Sequence, residues 1–167
     1  PSAKLPIGVF DSGLGGISVL AEIIKILPYE EFIYFADTLH APYGNKPENA
    51  VRAFSIKAAE FLSSIGIKCL VVACNTATGA AINEIRKMYA FPVVGMEPAV
   101  KPAVELALNG KILVMATPLT LKSKKFNELI RHYKHRSEIV PLPCTGLVEI
   151  IEQGHTHGRE IEEYLSH

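Results

Sequence analysis

Cys74-Asn75-Thr76 places a thiol next to two small polar side chains at one point of the chain. The apolar run Leu70-Val71-Val72-Ala73 precedes it, and a helix-like segment, Ala77 to Tyr89, follows. A buried strand then delivers the thiol to a strand–helix junction, which in open α/β sheets faces the ligand crevice. The partial positive charge at a helix N-terminus favours anions and can bring a thiol pKa from about 8.5 down to roughly 3.5–7.5. One expectation is a thiolate beside small polar groups and backbone N–H donors, suited to carboxylate binding and proton transfer. The competing one is a buried cysteine acting as a small hydrophobe, with Asn75 or Thr76 as the helix cap.

Other polar residues fall at the same kind of position. The first predicted strand ends in Asp11-Ser12 and the second leads to Asp37-Thr38; the fifth ends in Thr117, with Thr120 just beyond. In a parallel sheet these ends share one edge, so Asp, Ser, Cys, Asn and Thr can converge on one small polar ligand. Taken singly, each Ser, Thr or Asn also suits a helix cap or a turn. The loop Ala41-Pro42-Tyr43-Gly44-Asn45-Lys46-Pro47 is long enough to carry function or to be a simple turn. Gly13 and Gly15 fit two positions of a dinucleotide fingerprint, with Asp37 near where a ribose-binding acid belongs. However, Ser18 stands at the third glycine and Asp11 would repel a pyrophosphate. A tight turn using glycine flexibility is the plainer reading. His155 and His157 lack the neighbours of a metal site, and no metal is expected. Glu149 and Glu152 are spaced for one helix face.

The elements that must hold these residues alternate regularly. Strands are expected at 6–10, 32–35, 68–73, 92–95, 112–116 and 139–142. Helices are expected along the stripe Ile17, Leu20, Ile23, Ile24 and Leu27 up to Pro28, then at 47–65 closed by Gly66, and at 77–89. Further helices are expected at 98–108 ending at Asn109-Gly110, from Pro118 or Leu119 to Tyr133, at 146–153 and at 159–166. This βαβα order predicts an α/β fold with a mostly parallel sheet, helices on both faces and strands buried on both sides. Met96-Glu97-Pro98 is a possible seam between similar halves, 1–97 and 98–167. Hydrophobic residues at 49% suffice for a core, and a formal net charge of +0 gives no global field for nucleic acid or an acidic membrane surface. No signal-peptide pattern and no apolar run near the roughly 20 residues of a membrane span is seen. Cys69, Cys74 and Cys144, an odd count without a CxxC pair, fit a reducing cytoplasm rather than a disulfide framework. Cys69 is expected to be structural.

Several motifs together resemble the glutamate racemases of the aspartate/glutamate racemase family. They are Asp11-Ser12-Gly13-Leu14-Gly15-Gly16, Pro42-Tyr43-Gly44, Ala73-Cys74-Asn75-Thr76-Ala77-Thr78, Ala116-Thr117-Pro118-Leu119-Thr120 and Cys144 to Gly154. The resemblance runs from Ile7 to about Gly154. It implies two similar α/β domains with the active site between them and cofactor-independent interconversion of L- and D-glutamate, which supplies D-glutamate for peptidoglycan. It also implies two catalytic cysteines, one on each face of the substrate α-carbon. Cys74 would be one of them, Asp11 would assist proton transfer, and Glu152 matches a family glutamate near the opposite side. Ser12, Tyr43, Gly44, Asn75, Thr76, Thr117 and Thr120 would hold the amino acid. A homodimer is expected because family members are often dimers. The family's second cysteine stands in a Cys-Thr-His motif, whereas Cys144 is followed by Thr145-Gly146. The resemblance therefore implies a complete first domain, an incomplete second one and an unpaired sheet edge. The alternative is a carboxylate-binding α/β module without turnover; a nicotinamide-dependent reductase stands further off.

Overall fold

The computed structural model describes residues 3–107 and 110–166. Its contacts divide the chain into two compact units, Pro1–Glu97 and Pro98–His167.

The first unit runs β1 (Ile7–Asp11), α1 (Gly16–Ile26), β2 (Phe32–Ala36), a 3-10 turn (Tyr43–Asn45), α2 (Glu48–Ile65), β3 (Cys69–Val72), α3 (Asn75–Met88) and β4 (Val93–Gly95). Its four strands pair in the order β2-β1-β3-β4, all parallel. Side chains alternate across the sheet. Ile7, Val9, Val71 and Ala73 form one face with Val19, Leu20 and Ile23 of α1 packed on them. Phe10 lies on the other face, where its ring meets Phe35 and Tyr43. There α2 packs against α3 and the sheet. Leu62, Leu70, Ile82 and Ile85 are fully buried, and each such side chain contributes about 1.5–3 kcal/mol relative to exposure. Gly66 closes α2 in the left-handed region at φ 89°, as expected of a helix C-terminal glycine.

The second unit runs α4 (Val100–Ala107), β5 (Lys111–Ala116), α5 (Pro118–Lys122), α6 (Lys124–Tyr133), β6 (Glu138–Pro143), α7 (Leu147–Glu152) and α8 (Arg159–Leu165). β5 and β6 pair in parallel. Val100, Val104, Ile112, Val114 and Phe126 form its core. Alternation on β5 leaves Leu113 and Met115 exposed, with Leu142 of β6 exposed as well.

Three expectations change, and one falls outside the described residues. Strands buried on both sides hold for β1, which is buried throughout, but not for β5, where buried and exposed residues alternate. The core against that sheet draws on α4, α5 and α6. The helix expected from Pro118 or Leu119 to Tyr133 is two helices. Ser123 takes an extended conformation (φ −63°, ψ 146°) and caps α6 through its hydroxyl, which accepts from the Phe126 N–H. The third helix starts at Asn75 rather than Ala77, because Cys74 itself is the cap. The expected end of the fourth helix, Leu108 and Asn109, lies outside the described residues.

Candidate active site

Three segments of the first unit meet at the C-terminal edge of its sheet. Asp11 closes β1 and is 6% exposed. Its Oδ2 accepts the Gly13 N–H at 2.8 Å, and the Tyr34 hydroxyl donates to the Gly13 carbonyl at 2.8 Å. Those two bonds fix the turn between β1 and α1. Gly15 is right-handed helical at φ −58°, so backbone freedom does not explain the glycine there. Space explains Gly16: a Cβ on it would lie 2.5 Å from Asp11 Cβ and 3.1 Å from Ala73 Cβ. The Asp11 carboxylate also occupies the amide that a pyrophosphate would need, which removes the dinucleotide reading of this turn.

Cys74 is 8% exposed and sits between β3 and α3. Its Sγ accepts the Ala77 N–H at 3.4 Å and lies 3.4 Å from Ser12 Oγ. The thiol is therefore the helix cap, the role that the sequence offered to Asn75 or Thr76. Asn75 is exposed and Thr76 buried in the first turn of α3. The expected lowering of the thiol pKa is overturned. Burial pushes Cys74 up, the Asp11 carboxylate pushes it further, and the hydrogen bonds from Ser12 and Ala77 offset only part of this. Loss of hydration outweighs the helix terminus here, because the sulfur has little contact with water. Cys69, at the start of β3, is half-buried against the α1 side, and burial raises its pKa too.

Tyr43 and Gly44 are buried in the 3-10 turn, which packs against α3. The Tyr43 ring lies between Phe10 and Phe54. Burial first, then the hydrogen bond to Asp37, then the charges of Asp37, Cys74 and Asp11 push its phenol far above the usual range. Tyr43 thus keeps its proton and donates a hydrogen bond to Asp37 Oδ2 at 2.6 Å.

In the second unit, Thr117 caps α5 at the end of β5. Its Oγ1 donates to Thr120 Oγ1 at 2.9 Å and accepts the Thr120 N–H at 3.2 Å. Thr120 is buried. Glu152 ends α7 and is half-buried. Cys144 is buried beyond β6, its Sγ donating to the Leu142 carbonyl at 3.5 Å and its N–H to the Ala116 carbonyl at 2.9 Å. His155 pairs with Glu160 at 3.1 Å. Among the described residues, no group of three His, Cys, Asp or Glu side chains is placed to hold a metal ion. No helix among them is long and apolar enough to cross a membrane.

The first unit thus brings Asp11, Ser12, Tyr43, Gly44, Cys74, Asn75 and Thr76 to one edge, and the second joins Thr117 to Thr120. Sequence reasoning named Asp37 as a strand-end acid but passed over His40 and the bonds that join both to Tyr43; the spacing of three and six residues along Asp37-His40-Tyr43 was the available signal.

A family model described as Asp/Glu/Hydantoin racemase matches residues 14–165. The chain is 56% identical over 163 residues to a glutamate racemase from Clostridium novyi, covering 97% of this chain and 63% of that protein. It is 57% identical over 161 residues to one from Clostridium acetobutylicum, covering 96% of this chain and 63% of that protein. The chain therefore spans a little under two thirds of these relatives. Among solved structures, the Escherichia coli glutamate racemase in complex with L-glutamate and the activator UDP-MurNAc-Ala superposes with a TM-score of 0.84 at 33% identity. That match covers 97% of this chain and 63% of the other. The Francisella tularensis glutamate racemase in complex with D-glutamate gives 0.82 at 33% identity, over 96% and 61%. With its parallel α/β architecture shared with these structures and the family model matched across nearly its whole length, the chain belongs to the Asp/Glu/hydantoin racemase family.

Proposed function

We propose that this chain serves the cofactor-independent interconversion of L- and D-glutamate by two-base proton transfer, with Cys74 as one of the two bases. The observation that carries this reading is the Cys74 thiol, capping α3 within 3.4 Å of the Ser12 hydroxyl and facing the buried Asp11 carboxylate. Support for glutamate comes from the relatives, two of which are described as complexes with its two enantiomers.

The physical demands of the reaction match this cluster. The α-proton of an amino acid is very weakly acidic, so a base must be strong, desolvated and held in place. A thiolate whose conjugate acid has a raised pKa is a stronger base than one with a lowered pKa. At rest Cys74 is a thiol and acts as the acid. It becomes a base when its proton leaves, and Asp11 is the carboxylate placed to assist that transfer. Negative charge developing on the substrate is favoured near the N-terminus of α3. Ser12, Tyr43, Gly44, Asn75 and Thr76 are the proposed contacts to the amino acid at the edge where Cys74 stands, and by family resemblance Thr117, Thr120 and Glu152 are further candidate contacts. Racemisation needs a second acid on the opposite face, since one base returning its own proton restores the starting enantiomer. D-Glutamate so formed would enter peptidoglycan.

Proton NMR of D- and L-glutamate in D2O tests the reading. The α-proton signal is expected to decay with this chain, and Cys74→Ala is expected to slow that decay by about 10²–10⁴-fold. Exchange of one enantiomer alone identifies a half-site, while exchange of both identifies a complete acid–base pair. A buried Cys74 that rests as the neutral thiol also fits a second reading, a carboxylate-binding module without turnover. Glutamate binding with no exchange of either enantiomer would establish that module and remove the enzyme.

A further inference from the structure

Asp37 holds three parts of the first unit together. Its backbone N–H donates to the Asp11 carbonyl at 3.0 Å, extending the β1–β2 ladder by one step past Ala36. Its carboxylate is turned inward, with only 11% side-chain exposure. Oδ2 accepts the Tyr43 hydroxyl at 2.6 Å, and both oxygens lie at 2.8–2.9 Å from His40 Nδ1. The His40 ring stacks on Phe54 of α2 at 3.9 Å between centroids, and Tyr43 tilts against the same phenylalanine at 6.0 Å. One carboxylate therefore ties the end of β2 to the turn at 37–40 and to the loop that carries Gly44. Without it a buried phenol would lose its acceptor, which is costly in a dry site. The bonds of the Asp37 carboxylate go to His40 and Tyr43, and their products are the position of Tyr43 and the shape of the loop at the edge where Cys74 stands.

We propose that Asp37 is a positioning residue, whose carboxylate clamps Tyr43 and His40 so that the Pro42-Tyr43-Gly44 loop is held against the Cys74 cluster in its binding-competent shape. As a statement about substrate, this rests on the glutamate reading above; as a statement about the loop, it stands without it.

The experiment compares the unmodified chain with Asp37→Ala, Asp37→Asn and Tyr43→Phe. The first measurement needs no substrate: hydrogen exchange of the Lys46 amide, which donates to the Tyr43 carbonyl at 3.1 Å. Asp37→Ala is expected to speed that exchange about tenfold or more while the amides of β3 keep their protection, as loss of one charge-assisted hydrogen bond implies. Asp37→Asn retains an oxygen that can accept from the phenol and is expected to restore most of the protection, so a folding failure of the alanine variant still leaves a decisive comparison with Tyr43→Phe. The second measurement is α-proton exchange of glutamate. Asp37→Ala is expected to raise KM about tenfold or more with kcat changed by less than about threefold. Tyr43→Phe should do the same, and the double variant little more, because the two act through one bond. Unchanged Lys46 protection in both Asp37→Ala and Tyr43→Phe overturns the clamp whether or not glutamate exchanges. A lost clamp with no glutamate binding even in the unmodified chain overturns the glutamate reading and leaves the clamp standing. An equal fall in kcat and kcat/KM with unchanged KM would make Asp37 part of the chemistry and overturn the positioning role.

Discussion

At the scale of single residues, the decisive relation is between Asp11 and Cys74. The carboxylate raises the thiol's pKa, so Asp11→Asn is expected to lower it and to shift the pH profile of alkylation at Cys74 toward acid. Iodoacetamide labelling read by peptide mass spectrometry measures this; a shift toward base would contradict the charge effect. A stability consequence follows with a definite sign. The folded-state pKa of Cys74 lies above its unfolded value. The stability that the buried neutral thiol adds is therefore fully present below the unfolded thiol pKa of about 8.5 and fades as pH climbs from there toward the folded pKa. Denaturant midpoints should decline with alkaline pH less steeply in Cys74→Ala than in the unmodified chain. Cys74 and Asp11 were legible in the sequence as a thiol and a carboxylate at strand ends. The direction of the pKa shift was not, because it depends on how far water is excluded, and spacing carries no information about hydration. Asp37 was visible as a strand-end acid near the place of a ribose-binding acid; its actual partners come together through the path of the loop, which no periodicity describes.

At the scale of elements, the alternating order of strands and helices was legible because apolar runs and their interruptions report it directly. Helix ends were less so. Ser123 divides one expected helix into α5 and α6 with neither glycine nor proline at the break. Its hydroxyl accepts the Phe126 N–H at 3.2 Å, and a short polar side chain that satisfies a helix terminus competes with continuing the helix. Ser123→Ala is expected to cost about 1 kcal/mol, seen as a lower urea midpoint with an unchanged slope. If the helix simply ran on through the substituted position, the midpoint would rise instead. Cys74 capping α3 is the parallel case: two residues with better capping statistics stand next to it, yet the sulfur's position at the end of β3 decides which atom meets the Ala77 N–H.

At the scale of the whole molecule, the two units differ in how their sheets are covered. β1 and β3 lie inside a four-stranded sheet with Val9, Phe10, Leu70 and Val72 at 0% exposure, while the β5–β6 sheet leaves Leu113 at 56%. Native-state hydrogen exchange should therefore find the slowest amides in β1 and β3 and markedly faster ones in β5 and β6; equal protection would contradict the difference in burial. The sequence made a parallel α/β architecture legible through its apolar strands, but β5 reads as a short apolar run whichever side is covered, so its one-sided burial was hidden. Gly16 links this scale back to the smallest. Replacing a helical glycine by alanine is a common route to thermal robustness, worth about 0.4–1 kcal/mol where the backbone permits it. Here the added methyl would have to share space with Asp11 Cβ at 2.5 Å. A lineage drifting toward heat tolerance, or an engineer following the same rule, would find that this gain displaces the carboxylate next to the thiol, so the position is closed to improvement for want of room for one carbon atom.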